Sequence, residues 1–321
     1  MLYDLNIAWS PSTSAAELER TLRFSSQLGY NVVALNHSLE APLPSQIPNP
    51  LPKFDSQPST TSSKDASQQR IPTVLRRATI SFWDPAHNQQ LPKAAQAFDI
   101  LAMRPQTEKA FQAACLTVQE ASIISLDLTA RLPFYLRPKP CMAAVNRGLR
   151  FEICYGRAVG PDADARARAN FAGNVAQLVR ATRGRGLVIS SEAAATTTMA
   201  LRAPADVLNL LAVWGLPADR GREALGVNPR GVVVNEGIKR SGFRGVVDIV
   251  GVADRPEGEQ QKGGDQTTAG ATTTKKDNKK RKNGEGEVTE GGEPQPMSKR
   301  QAKKLKAAIR KKEAEAKESQ S

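Results

Sequence analysis

The residues best able to do chemistry fall at the ends of short apolar runs. They are Asp4 and Asn6, Asn36 and His37, Asp84 and His87, then Asp127, Glu152 and Ser190–Glu192. If those runs are strands of one sheet, carboxylates, amides and imidazoles would gather at one rim. Such a collection suits a metal-assisted hydrolase, in which oxygen and nitrogen ligands hold a cation that activates water. Two histidines in 321 residues, with no HxH or HExxH, supply few ligands for a centre with more than one metal. These polar groups could equally satisfy loop backbone and one another. Glu152 has the same two readings. In "RFEICYG" it lies inside a buried run, either as a catalytic acid or as a carboxylate held by a partner. An unpaired buried carboxylate is costly, so the paired reading is preferred, with Arg147 and Arg150 the near neighbours in sequence. No G-x-S-x-G is present, and Cys154 has no base close by in sequence.

Two segments combine cations with other recognition groups. "RATRGRG" places Arg180, Arg183 and Arg185 beside glycines at a helix-to-strand turn. Guanidinium forks and close backbone suit phosphate; a solvated basic helix end is the alternative. "RLPFYLRPKP" interleaves Arg131, Arg137 and Lys139 with Phe134 and Tyr135. It would either stack on unpaired bases or bury its aromatic rings in the core.

The elements that would position these groups alternate from the start. Leu2–Ile7 reads as a strand, 14–29 as a helix ended by Gly29, and "NVVALNHS" as a second strand. After 40–73, a Pro/Ser-rich insertion with seven prolines and an expected extended, poorly ordered course, strands recur at "TVLRRATISFWD", "AFDILAMR", "ASIISLDL", "RFEICYG" and "GLVISS". Helices lie between them, and "LPADRGREALG" reads as a helix stopped by Gly226. "NPRGVVVNEGIKR" is ambiguous, and "GFRGVVDIV" offers a last strand. Repeated β-α alternation predicts an α/β fold with seven or eight strands, a barrel ahead of a doubly wound sheet because no GxGxxG follows a strand. A barrel of this kind would carry function at the C-terminal ends of its strands.

The chain carries a net charge of +13, which favours an acidic partner such as nucleic acid. Residues 254–321 hold 17 basic and 12 acidic side chains, a net +5; the remaining 28 and 20 leave +8 on the folded part. The barrel domain is therefore set at 1–252 and a disordered Lys-rich tail at 253–321. Within the tail, Lys275, Lys276, Lys279, Lys280, Arg281 and Lys282 form a basic run that reads as a nuclear import signal or as a solubilising charge cluster. Three cysteines without CxxC spacing argue against a disulfide framework or a zinc ribbon. No apolar run is long enough for a membrane helix and the N-terminus does not read as a signal peptide, so a soluble intracellular protein is expected.

The segments "YDLNI", "LGYNVVALNHS", "SFWDPAHN", "PQTEKAFQAAC", "ARLPFYLRPKP", "VNRGLRFEICYGRAV", "GLVISSEA" and "RAPADVLNLLAVWGL", in this order, resemble the thirty-kilodalton protein subunit family of ribonuclease P and ribonuclease MRP in a fungal form. The resemblance covers most of residues 1–250. It implies a TIM-barrel-like α/β fold of the metallophosphoesterase (PHP) type. Active barrels of that superfamily place HxH at the end of the first strand; here Asp4-Leu5-Asn6 stands there, so Asp4, Asn6, His37, Asp84, His87 and Glu152 would be vestiges of a mouth without a metal. The resemblance also implies an RNA-binding scaffold with no catalytic residues of its own and no cofactor. Mg2+ would sit on the catalytic RNA. Its partners would be the ribonuclease P/MRP RNA, a small RRM-like subunit and the other proteins of the particle, in the nucleus or nucleolus. Arg131, Arg137, Lys139, Arg147, Arg150, Arg180, Arg183 and Arg185 are the RNA-contact candidates. A stand-alone metal-dependent phosphoesterase and a protein adaptor whose tail alone meets RNA are the competing readings.

Overall fold

The computed structural model describes residues 1–54, 71–160, 163–243 and 247–248. The first compact unit runs from Met1 to Asp254. Its strands are β1 Tyr3–Ala8, β2 Val32–Glu40, β3 Thr73–Phe82, β4 Ile100–Pro105, β5 Ile123–Ser125, β6 Arg150–Cys154, β7 Leu187–Ser190 and β8 Ala193–Ala194. All are parallel in one sheet of order β7-β6-β5-β4-β3-β2-β1-β8. The two ends of that order are consecutive in the chain. β7 pairs with β6, the backbone kinks at Ser191–Glu192, and β8 pairs with β1. One bent strand thus closes the sheet into a TIM-type barrel. Glu192 takes a left-handed φ of 52° at the kink, and its N–H donates to the Asn6 carbonyl at 2.8 Å across the seam. The expected barrel is borne out, and β7 and β8 explain the ambiguity between seven and eight strands.

Alternation along each strand sorts the side chains. Tyr3, Leu5, Val32, Ala34, Ile100, Ala102, Ile123 and Val188 form one apolar cluster inside the barrel. The other strand faces pack outward, against the helices. Those helices are α1 Ala15–Gln27, α2 Leu91–Ala97, α3 Glu108–Leu116, α4 Pro138–Asn146, α5 Gly156–Val159, α6 Ala165–Thr182, α7 Pro204–Val213, α8 Ala218–Arg222 and α9 Asn228–Ser241. Local chemistry sets their ends. Ser14 and Glu17 form a capping box at the start of α1. Gly29, at φ 99°, lets the chain turn out of that helix.

Gly226 does not stop a helix. α8 runs through a π turn at Glu223–Val227 directly into α9. Pro229 has no N–H for the preceding turn, and the wider turn beside it absorbs the misfit. α9 then covers the N-terminal end of the barrel. Val232 joins the interior cluster, Asn228 donates to the Leu187 carbonyl at 2.8 Å, and the Ser122 hydroxyl donates to the Glu236 carboxylate. The last strand expected at 242–250 is instead two short pieces, β9 Gly242–Phe243 and β10 Val247–Asp248, paired antiparallel outside the barrel sheet.

The insertion is not uniformly loose. Ala41, Leu43 and Leu51 are buried in the core, and Asn49 donates to the Ala97 carbonyl at 2.7 Å. Residues 55–70 and the tail, with its basic run 275–282, lie outside the described residues.

Candidate functional site: a filled barrel and a basic flank

Inward positions of β3 and β6 bring Arg77 and Glu152 together. Arg77 donates to both Glu152 oxygens, Nη1 at 2.5 Å and Nη2 at 2.6 Å, and both side chains are 0% exposed. The rest of the guanidinium is used as well: Nη1 donates to the Leu5 carbonyl at 2.7 Å and Nε to Thr79 Oγ1 at 3.2 Å. Thr79 donates to Asn36, Asn36 to Asn6, and Asn6 to Glu152 Oε2 at 3.3 Å, so the hydrogen bonds form a closed loop across β1, β2, β3 and β6. Burial pushes the Glu152 carboxyl up, but the Arg77 charge and its hydrogen bonds outweigh that and hold it at about 2. The partner of Glu152 is therefore Arg77, neither Arg147 nor Arg150. Local sequence does not reveal a contact between residues 75 positions apart.

Nearer the C-terminal rim a second set of charges lies above the first. Arg104 donates to Glu192 at 2.9 Å and to Ser125 at 3.0 Å. Arg157 bridges Glu192 at 3.1 Å and Asp127 at 2.8 Å. The kink at Glu192 turns its carboxylate between the two guanidiniums. The Glu152, Glu192 and Asp127 carboxylates are thus all engaged by arginine. Among the described residues no cluster of three or more His, Cys, Asp or Glu could hold a metal. The described residues do not fit a metal centre at this mouth.

Asp4 has another task. It is buried at the seam, where Oδ1 accepts the Ser191 N–H at 3.0 Å and the Asn6 N–H at 3.3 Å. Oδ2 has no partner. Burial lifts its pKa to about 6, against the pull of those hydrogen bonds. Of the expected rim, Asn6, Asn36 and Glu152 come together. His37 does not: it is one position out of phase with Asn36, so it leaves the barrel and packs between Trp9 and Phe98, ring centroids 5.9 and 6.5 Å away. Asp84 lies beyond the end of β3, where it accepts the Ala86 N–H at 3.0 Å. His87 sits in the 3-10 turn Pro85–Gln90.

The RNA-contact candidates divide. Arg147 donates to the Cys115 and Val118 carbonyls at 2.6 Å each, closing the end of α3. Arg150 is half-buried beneath the interior network, and burial lowers its pKa. Both serve the fold. Arg131, Arg137, Lys139, Arg180, Arg183 and Arg185 are exposed. The glycines of the 180–186 turn are not a phosphate cradle. The Arg183, Gly184 and Arg185 N–H groups are spent on the Arg180, Val179 and Thr182 carbonyls. A Cβ on Gly186 would lie 2.8 Å from Val145 Cγ2. In 131–140 the two aromatic residues part company: Phe134 is buried and stacks on Phe111 at 4.8 Å, while Tyr135 is 78% exposed. Arg77, Arg104 and Arg157 are the residues that sequence reasoning missed. Arg77 could have been found as one of two adjacent arginines, Arg76 and Arg77, in a largely apolar strand whose alternation sends one of them inward.

Comparison with known proteins agrees with this geometry. The pattern of the family described as RNase P subunit p30 matches residues 1–241. "Probable ribonuclease P protein subunit 3" of Schizosaccharomyces pombe is 33% identical over 250 residues, 77% of this chain and 99% of that one. "Ribonuclease P protein subunit p30" of Mus musculus is 33% identical over 230 residues, covering 70% and 82%. "Ribonuclease P/MRP protein subunit RPP1" of Saccharomyces cerevisiae is 33% identical over 242 residues, covering 70% and 77%. A chain in the cryo-EM structure of archaeal ribonuclease P with mature tRNA shares the fold, with a TM-score of 0.53 at 15% identity over 79% of this chain and all of that one.

Proposed function

The chain belongs to the RNase P subunit p30 family, and on that premise we propose that it is a protein subunit of ribonuclease P and ribonuclease MRP. In that role it binds and braces the catalytic RNA that removes the 5′ leader from precursor tRNA and that processes rRNA precursors. The buried Arg77–Glu152 fork carries the non-catalytic part of the reading. A guanidinium occupies the heart of the barrel, both carboxylate oxygens are engaged, and no water or substrate can reach them. Such a network stabilises one barrel geometry.

The same reading assigns the particle's Mg2+ to its RNA and gives the chain a small RRM-like protein neighbour. It places the particle in the nucleus or nucleolus, with 275–282 as the address. The net +8 of residues 1–253 supports contact with RNA through the barrel as well as through the tail. A stand-alone phosphoesterase is disfavoured because Glu152, Glu192 and Asp127 are already paired with arginine. The test is recovery of RNA on the tagged chain from its own cells. Enrichment of ribonuclease P or MRP RNA over an untagged control is expected; bulk RNA at control level would refute the assignment.

A further inference from the structure

One exposed feature remains unused by the barrel network. A groove of about 500 Å³ runs between the loop leading into α4 and the outer face of α6. Tyr135 and Pro138 line one wall; Gly173, Gln177 and Arg180 line the other. Phe134 and Leu136 are buried on either side of Tyr135, whose own side chain is exposed, so its ring faces solvent. The platform beneath is rigid. Phe134 is stacked on Phe111, and Asn174 of α6 donates to the Leu128 and Ala130 carbonyls at 2.8 and 2.9 Å.

The charge around the groove has one sign. No acidic residue lines it. Arg180 lies in the wall, and Arg131, Arg137 and Lys139 all fall within four residues of Tyr135. Arg137 has only an exposed contact of 3.7 Å to Glu108, and Arg131, Lys139 and Arg180 have no described carboxylate within ion-pair distance.

We propose that this groove binds an unpaired nucleotide of RNA, its base stacked on the Tyr135 ring and its flanking phosphates met by Arg180, Arg131 and Lys139. The proposal rests on the RNA-subunit reading and specifies where a single strand is held. An aromatic face stacks on any base, and surrounding cations track the backbone, so the contact tolerates sequence. An amide such as Gln177 is placed to meet a base edge. Arg180 in the wall and the exposed chain neighbours Arg131, Arg137 and Lys139 favour a polyanion over a neutral protein partner.

The experiment uses the purified full chain with a single-stranded RNA decamer and a duplex of the same sequence. Tyr135→Ala is expected to weaken single-strand binding between about 5-fold and 150-fold, what one stacked base contributes. Tyr135→Trp should restore it, and duplex affinity should change less than about twofold, since duplex RNA offers no free base face. A 4-thiouridine decamer should crosslink to the peptide carrying Tyr135. Equal single-strand binding by parent and Tyr135→Ala, with the parent binding RNA well, would overturn the groove alone. So would unchanged RNA binding with weakened association of a co-purifying protein, which would make the groove a protein contact. A parent chain that binds neither RNA would overturn the underlying reading, and the groove with it. Thermal melts of each variant keep a folding defect apart from a binding one.

Discussion

Replacing Arg77 by methionine removes one half of the buried pair and leaves the other. Glu152 loses two hydrogen bonds of 2.5 and 2.6 Å and keeps the 3.3 Å contact from Asn6 and the pull of the Ser125 and Ser190 hydroxyls. The Leu5 carbonyl loses its 2.7 Å donor in the same step. Breaking a buried pair from one side costs about 3–5 kcal/mol, against a usual total stability of about 5–15 kcal/mol. For a domain of this size that is a fall in Tm of about 6–20 °C. The pH dependence carries the sharper sign. In the parent, Glu152 is held at about 2, below the ordinary 4.5, so its contribution is present above pH 4.5 and is lost as the pH falls toward 2. In Arg77→Met burial outweighs the hydrogen bonds that remain and the folded pKa rises above 4.5. The variant's deficit should then shrink as the pH falls from 7 to 4.5. Urea unfolding at several pH values, for the parent, Arg77→Met and Arg77→Met/Glu152→Gln, reads both effects. The double variant should recover a large part of the loss, because a neutral amide needs no counter-charge. An Arg77→Met chain as stable as the parent, or a double variant as unstable as the single one, would refute the claim that the fork holds the barrel together.

Other consequences are as direct. Asp4 should make stability rise as the pH drops from about 6 toward 4, since its raised pKa favours the protonated folded form; Asp4→Asn should flatten that part of the profile in denaturant titrations. Gly186→Ala meets both a φ of 65° and the Val145 side chain, and should cost about 1–3 kcal/mol by chemical unfolding. The Cys115, Cys141 and Cys154 thiols are buried, and burial pushes all three pKa values up, Cys141 to about 12. The native chain should therefore resist alkylation at pH 8 and accept three labels once unfolded, by mass spectrometry. Neutralising Arg131, Arg137, Lys139 and Arg180 together should flatten the log affinity against log salt plot for single-stranded RNA by up to about 3, at about 0.7 per phosphate contact.

The barrel was legible because most strands are short apolar runs with a helix after them, and runs of that kind need only local sequence. The closing strand was read as "GLVISS" alone, because the two residues of β8 lie beyond a kink that depends on a left-handed Glu192. α9 was ambiguous because Pro229 and two glycines argue locally against a helix, while packing over the barrel end overrides them. Glu152 was rightly read as paired, but its partner was sought nearby in sequence, when β3 and β6 meet only through the closed sheet. Two parity cues went unused. His37 is out of phase with Asn36, and Tyr135 is out of phase with Phe134 and Leu136. In β2 the period of two sends Asn36 inward and His37 away, and in the loop before α4 the apolar neighbours of Tyr135 are buried while its ring is exposed. The glycines in "RGRG" showed that a special backbone was needed there, and the hydrogen bonds show that it is a helix ending.

The most direct test of the central claim, a protein scaffold serving an RNA catalyst, is precursor-tRNA cleavage by material purified on the tagged chain from its own cells. It is run with and without prior micrococcal nuclease, the nuclease then being inactivated. Removal of the 5′ leader that disappears after nuclease treatment is the expected result. Cleavage that survives the nuclease would contradict the claim and return the chemistry to protein.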